Sequence, residues 1–155
     1  MTDAFFQGKR RRAAAAVGAV AFGLVALSAC DKPTPLATVT VGTTTVTTEA
    51  ACFDESKTLD EAALQKCLAD KSVKSIKVKQ GDKIRVGVEP KIAEESWFLV
   101  AGNQPRSNQT KQTYTSLNGD QLFYNQQMGT LDKSTVLSVV SKNGVWSVKL
   151  ELDKD

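Results

Sequence analysis

From residue 37 onward the chain is built of short segments in which apolar and polar residues alternate, the period-two pattern of strands with one buried face. Val39 and Val41 alternate with Thr38 and Thr40, Gly42 interrupts the run and Val46 resumes it, which predicts two short strands within 37–51. A disordered threonine-rich stalk is the competing reading of that stretch. Ile76 and Val78 alternate with Lys77 and Lys79; Gln80-Gly81-Asp82 predicts a turn; Ile84, Val86 and Val88 then resume the apolar face up to Pro90. Residues 97–101 are apolar on both faces, as a central strand requires. Asn103-Gln104-Pro105 ends that strand and a polar loop follows to Gln109. Residues 112–117 and 121–125 flank Asn118-Gly119-Asp120, which predicts a hairpin. At the end, Asn143-Gly144 suits a two-residue type I′ turn with positive φ at both central positions. That turn sets Val140 opposite Ser147, Val139 opposite Val148 and Leu137 opposite Leu150. Leu137 and Val139 then share one face with Trp146, Val148, Leu150 and Leu152, a face that a one-residue slip would turn to solvent.

One segment has helical periodicity instead. Thr58 and Glu61 have the spacing of a capping box. Leu59, Ala63, Leu64, Cys67 and Leu68 recur on one face, with Asp60, Glu61, Lys66 and Asp70 on the other, so a structural helix is expected over 58–71. Short strands at regular spacing, one short helix near the start of the mature domain and a Trp in a central strand resemble an immunoglobulin-like antiparallel β-sandwich. A partly open β-barrel is the alternative, and no internal repeat is present.

The first thirty residues follow a different rule. Lys9, Arg10, Arg11 and Arg12 form a basic block, and residues 13–26 carry no charge. A basic segment followed by a short apolar one is the layout of an export signal, too short and wrongly flanked for a lasting membrane span. Leu27-Ser28-Ala29-Cys30 closes it and matches the lipobox of bacterial lipoproteins. The resemblance implies a diacylglyceryl group on the Cys30 thiol and cleavage just before that residue. Residues 1–29 would then be the signal peptide, 30–36 a lipidated tether with Pro33 and Pro35, and 37–155 a single β-rich domain. An uncleaved anchor with a buried Cys30 is the alternative, and the Ala-rich segment suits it poorly. The opening Ala4-Phe5-Phe6-Gln7-Gly8-Lys9-Arg10-Arg11-Arg12, the Cys30-Asp31-Lys32-Pro33-Thr34-Pro35 junction and the Thr-Val run after it resemble a group of small actinobacterial lipoproteins of unknown function. That resemblance implies a location at the outer face of the plasma membrane and carries over no functional residue beyond Cys30.

Charge and chemistry narrow the function classes further. The chain has 20 basic and 17 acidic residues. Cleavage after residue 29 removes four of the first kind and one of the second, leaving sixteen of each. The basic balance thus belongs to the signal, and no nucleic-acid partner follows from it. In an exported chain Cys52 and Cys67 are expected to pair with each other, closing a loop worth roughly 3 kcal/mol. Two buried free thiols are the other reading. The chain contains no His, which removes the Ser-His and Cys-His nucleophile pairs and the commonest general base. No cofactor and no metal site is expected. Glu94-Glu95 reads as a solvated loop pair rather than as a catalytic dyad. Enzymatic activity is therefore not expected.

Two features remain as candidates for binding. Lys77, Lys79 and Arg85, pointing away from the apolar face of one hairpin, are candidate contacts for an anionic membrane or wall polymer, with a solvated sheet face as the plainer reading. The loops 102–110 and 126–133, the latter with Met128, are candidates for recognition. The expected function is a non-catalytic binding or scaffolding module for an envelope protein or polymer, or else a surface inhibitor of an envelope enzyme such as a protease.

Overall fold

The alternation along the chain is realised as strands in the computed structural model, which describes residues 33–153 apart from 71–72 and 126–127. The signal segment, Cys30 and the first tether residues lie outside the described residues. The protein is mainly β, in several largely antiparallel sheets with three short helices among the described residues. β1 (Ala37–Val41) and β2 (Thr44–Thr48) form the predicted first hairpin around Gly42, which takes φ +56°. Ala37, Val39 and Val41 are buried, while Thr38 and Thr40 bond sideways to Thr47 and Thr45 on the opposite face. A solvated stalk is thereby replaced by an ordered pair of strands. β3 (Cys52–Phe53) leads through α1 (Glu61–Leu68) to β4 (Ser75–Lys79), and a turn leads on to β5 (Lys83–Val88). α2 (Pro90–Glu94) precedes β6 (Trp97–Ala101) and β7 (Gln104–Pro105). β8 (Tyr114–Asn118), α3 (Asp120–Phe123), β9 (Tyr124–Asn125) and β10 (Thr130–Leu131) come next. β11 (Ser134–Ser141) and β12 (Gly144–Asp153) form the closing hairpin.

Two sheets carry the core. The first has the order β2-β1-β5-β8; the second runs β3-β12-β11-β6-β7, with β4 also on β12, and neither closes into a barrel. Val39, Ile84 and Val86 of the first sheet join Leu99, Leu137, Val139, Trp146, Val148 and Leu150 of the second in one apolar cluster. Burial of such side chains is worth about 1.5–3 kcal/mol each and is what holds the sheets together. Both indole N–H groups are satisfied at the cluster's margin. Trp97 donates to the Gln112 carbonyl at 2.7 Å and Trp146 to that of Pro35 at 2.6 Å.

The Trp146 bond moves a boundary. Thr34 belongs to the same compact unit as the strands. Its hydroxyl accepts from Ala50 N, and Leu36 exchanges hydrogen bonds with Glu89 through both its N–H and its carbonyl. Residues 34–36 are therefore fastened to the domain and are no free tether, because their backbone groups complete the surroundings of Trp146 and of the start of α2.

Four local expectations are corrected in the same way, by tertiary partners. The final hairpin pairs Val140 with Val145, Val139 with Trp146 and Leu137 with Val148, so its turn is Lys142-Asn143 and the register differs from expectation by two residues. A shift of two preserves the faces, and Leu137 and Val139 still lie with Trp146 and Val148. Neither Asn143 nor Gly144 has positive φ. Glycine is needed at 144 for space: a Cβ there would come within 2.5 Å of the Trp146 ring, which folds over it against Phe53. Positive φ at both positions of a two-residue turn occurs instead at Gly102-Asn103, between β6 and β7, at +58° and +60°.

The second correction concerns Gly119, which starts α3 rather than a hairpin. β8 pairs with β5, and a Cβ at 119 would lie 2.9 Å from the Asp82 carbonyl. Third, the α1 cap is Asp60, whose carboxylate accepts from Ala63 N at 2.7 Å, so Thr58 and Glu61 form no box and the described helix is shorter than 58–71. Fourth, β4 and β5 belong to different sheets. The Gln80-Gly81 turn is a corner between them, held by Asp82 on Lys79 N and by Asp120 on Gly81 N.

α2 lies where no helix was expected. Its proline occupies the first turn, where no N–H is needed, and Ile92 and Ala93 anchor it in the core.

Candidate functional site

The paired cysteines come first, because they shape everything on one side of the second sheet. Cys52 and Cys67 form a disulfide, with Cα atoms 5.8 Å apart and a sequence separation of 15. Cys52 stands opposite Val145, on the face of β12 turned away from the apolar cluster. The bond therefore fixes α1 against that face. This explains why Val140, Val145, Ser138 and Ser147 are buried although they alternate with the inner residues. The two serines satisfy each other at 2.8 Å. β3 and β4 lie in succession along the outer edge of β12, one antiparallel and one parallel, and α1 is the crossover between them.

The basic residues singled out in the sequence are not brought together. Lys77 and Lys79 stand on β4 in the second sheet, and Arg85 stands on β5 in the first, opposite Thr40 and Ser116. Lys77 is also 3.9 Å from the Asp153 carboxylate. The expectation of one basic face rested on a β4–β5 hairpin that does not form. Glu94 and Glu95 are exposed at the end of α2. Among the described residues no three His, Cys, Asp or Glu side chains gather in a way that would hold a metal ion.

The two candidate loops do converge. The tight Gly102-Asn103 turn sends the chain back along β6, and Arg106 N donates to the Leu99 carbonyl at 2.7 Å. Arg106 Nε donates to the Ala101 carbonyl, and the Ser107 hydroxyl accepts from Leu99 N. These bonds make the start of the 102–110 loop a rigid rim rather than a free excursion. Opposite it, Leu122 and Phe123 of α3 are buried and pin the arm formed by β9 and β10. Asp132 N closes the arm onto the Phe123 carbonyl at 2.9 Å. Between rim and arm lies an open groove of about 580 Å³ whose apolar walls come from Pro105, Leu117, Leu122, Tyr124 and Leu131. A smaller depression of about 400 Å³ continues it past Arg106, Asn125 and Asp132. Tyr124 is 47% exposed at this site and Met128 66% exposed on the arm. Arg106 is the single cation of the groove. Among the described residues no carboxylate lies within 4.0 Å of its guanidinium, which is half-buried on the groove wall. Asp120 also lines the groove, where its carboxylate accepts from Gly81 N, and Arg106 keeps one bond to a backbone carbonyl.

A somewhat larger hollow of about 640 Å³ lies between β2, residues 49–51 and Lys74. Several of its polar groups are engaged: Lys74 Nζ donates to the Thr47 carbonyl, Ala50 N to Thr34 and Ala51 N to the Val145 carbonyl, while Glu49 also lines it. The smaller groove has the more apolar lining, which makes it the better candidate.

No protein-family model, curated protein or solved structure is similar to the chain. The site must be argued from its own residues. Sequence reasoning found both loops and missed α3, Tyr124 and the role of Arg106. One signal was present: Arg106 is the only charged residue in 102–110.

Proposed function

We propose that this chain is a lipoprotein of a bacterial cell envelope, anchored at the outer face of the plasma membrane through Cys30, whose β domain is a non-catalytic binding or scaffolding module. The observation that carries the anchor is Leu27-Ser28-Ala29-Cys30 placed directly after a basic block and an uncharged apolar run. The module reading is supported by the absence of His from the chain and by an open, mostly apolar groove with one unmatched cation, a binding feature with no nucleophile–base pair. In this reading the two packed sheets are the halves of an immunoglobulin-like sandwich, with Trp97 in a central strand and the groove among loops at its margin. The likeness to small actinobacterial lipoproteins belongs to the same proposal.

The experiment is to express the full chain and its Cys30→Ala variant in a bacterial host, fractionate the cells and measure intact mass. The expected result is a membrane form lacking residues 1–29 and carrying lipid on Cys30, with the variant neither lipidated nor cut at that point. A wild-type chain that keeps Met1 and stays in the aqueous fraction overturns the anchor.

A further inference from the structure

We infer that β8 is a docking edge for an extended acidic peptide of a partner protein, which adds to the first sheet as a fifth strand and seats alternate apolar side chains in the neighbouring groove. The inference rests on the binding-module reading and names its partner class.

Three observations converge on this edge. The first is the direction of the backbone groups. Val88 N donates to the Thr113 carbonyl and Gly119 N to that of Asp82, each at 2.9 Å, at the two ends of the β5–β8 ladder. Hydrogen-bonded pairs alternate along an antiparallel ladder, so Thr115 and Leu117 bond to β5. The N–H and C=O groups of Tyr114, Ser116 and Asn118 therefore point to the open side, where no strand among the described residues pairs with β8. Such a row is matched by another extended backbone and by little else.

The second observation is that this edge lacks the usual protection. Exposed edges are commonly blunted by lysine, proline, a bulge or a covering segment. β8 contains no charge and no proline, and Tyr114 stands 52% exposed beside its open side. The other edge of the same sheet, β2, differs: the Lys74 ammonium donates to its Thr47 carbonyl at 2.8 Å.

The third observation gives the occupant its chemistry. Leu117, an inward residue of β8, is itself a wall of the groove that also holds Leu122, Leu131, Arg106 and Asp120; the Asp120 carboxylate is bonded to Gly81 N, whereas Arg106 has no ion pair among the described residues. A strand added to β8 would direct every second side chain toward that apolar floor. A carboxylate on it would meet the unmatched Arg106 guanidinium. A second copy of this chain meets the requirement poorly, since β8 has no Asp or Glu to offer Arg106.

The test uses the full chain in detergent, incubated with a displayed library of random blocked decapeptides. The expected enrichment is for sequences that alternate apolar residues and carry an Asp or Glu. Ser116→Pro deletes an outward N–H while leaving the β5 ladder intact, and is expected to abolish capture. Arg106→Gln is expected to keep the alternating pattern and lose the acidic preference, weakening enriched acidic peptides about tenfold. Retention of the Cys52–Cys67 bond and of the circular-dichroism spectrum checks that both variants fold. No enrichment, enrichment without an acid, or dimerisation of the wild type that Ser116→Pro removes would each overturn the proposal. Peptide capture unaffected by both substitutions would overturn it while leaving the binding-module reading in place.

Discussion

The outer edges of β12 and β8 begin with the same chemistry, a row of backbone groups directed away from the sheet, and the protein treats them in opposite ways. The β12 edge is covered along most of its length by β3 and β4, and the crossover between these two is fastened by the Cys52–Cys67 bond. The β8 edge is left open beside an apolar groove. Covering the first requires the chain to reverse direction within about twenty residues, from an antiparallel to a parallel partner of the same strand. A two-residue strand such as β3 supplies little stability of its own, so the covalent tie and the burial of Val145 and Trp146 have to hold it. The open edge needs no such investment and retains its capacity to pair. The difference separates a fastened region from an open one, the one proposed above for docking, within one small domain.

The comparison can be broken or sharpened by substitution, with effects that differ in size. Trp146→Ala should be the most damaging, lowering unfolding free energy by about 3–5 kcal/mol in urea denaturation, because it empties the core beneath the covered edge and removes the bond to Pro35. Replacing both Cys52 and Cys67 by Ala should cost roughly 3 kcal/mol, the value for a loop of this length, and should raise hydrogen exchange of the Ala51 amide, which donates to β12, and of the Lys149 amide of β12, which donates to the Lys74 carbonyl. A tie that contributes nothing would leave the oxidised and reduced proteins equally resistant to urea. Gly144→Ala should lose about 1–3 kcal/mol, since its methyl enters the space of the Trp146 ring. If the glycine did not have to make room for the ring, the substitution would be nearly silent, as Gly144 does not have positive φ.

At the open edge the expected stability effects are smaller. Ser116→Lys should change unfolding free energy by no more than about 0.5 kcal/mol, as an exposed edge position permits, while blocking strand addition. Equal losses at Ser116 and at the disulfide would erase the distinction between the two regions. The smallest effect is a pH dependence on the covered side. Asp54 accepts from both the N–H and the hydroxyl of Ser56, and these bonds hold its carboxyl below the usual value of 3.8. A lowered folded-state value means that this contribution is present above the unfolded-state value and is lost as pH falls through the folded one. Ser56→Ala should therefore lower stability slightly at neutral pH, leave it unchanged at the acid end, and so flatten the pH dependence of a urea titration.

The fold was legible in the sequence wherever one face of a segment decides its state. The strands at 37–41, 44–48, 75–79 and 83–88 follow from alternation, that at 97–101 from an apolar run, and the inner face of the last hairpin survives a two-residue error in register. Which strands pair was not legible. Alternation states which side of a strand is apolar and is silent on its neighbour, so β4 and β5 read as a hairpin although they lie in different sheets. The candidate site was half legible. Its loops stand out by composition, but the groove exists only because α3 carries Leu122 and Phe123 inward and leaves Tyr124 facing the rim that bears Arg106.

The sequence by itself determined the mainly β character, the cysteine pair and the layout of an export signal, all of which depend on residue type at short spacing. Tertiary structure alone decided what the glycines are for. Gly144 and Gly119 look like turn residues and instead make room, one for an indole ring and the other for a carbonyl that arrives from a distant strand. A residue's φ preference is local and can be read along the chain. The space it must leave empty is set by what packs against it, and that is known only when the chain has folded.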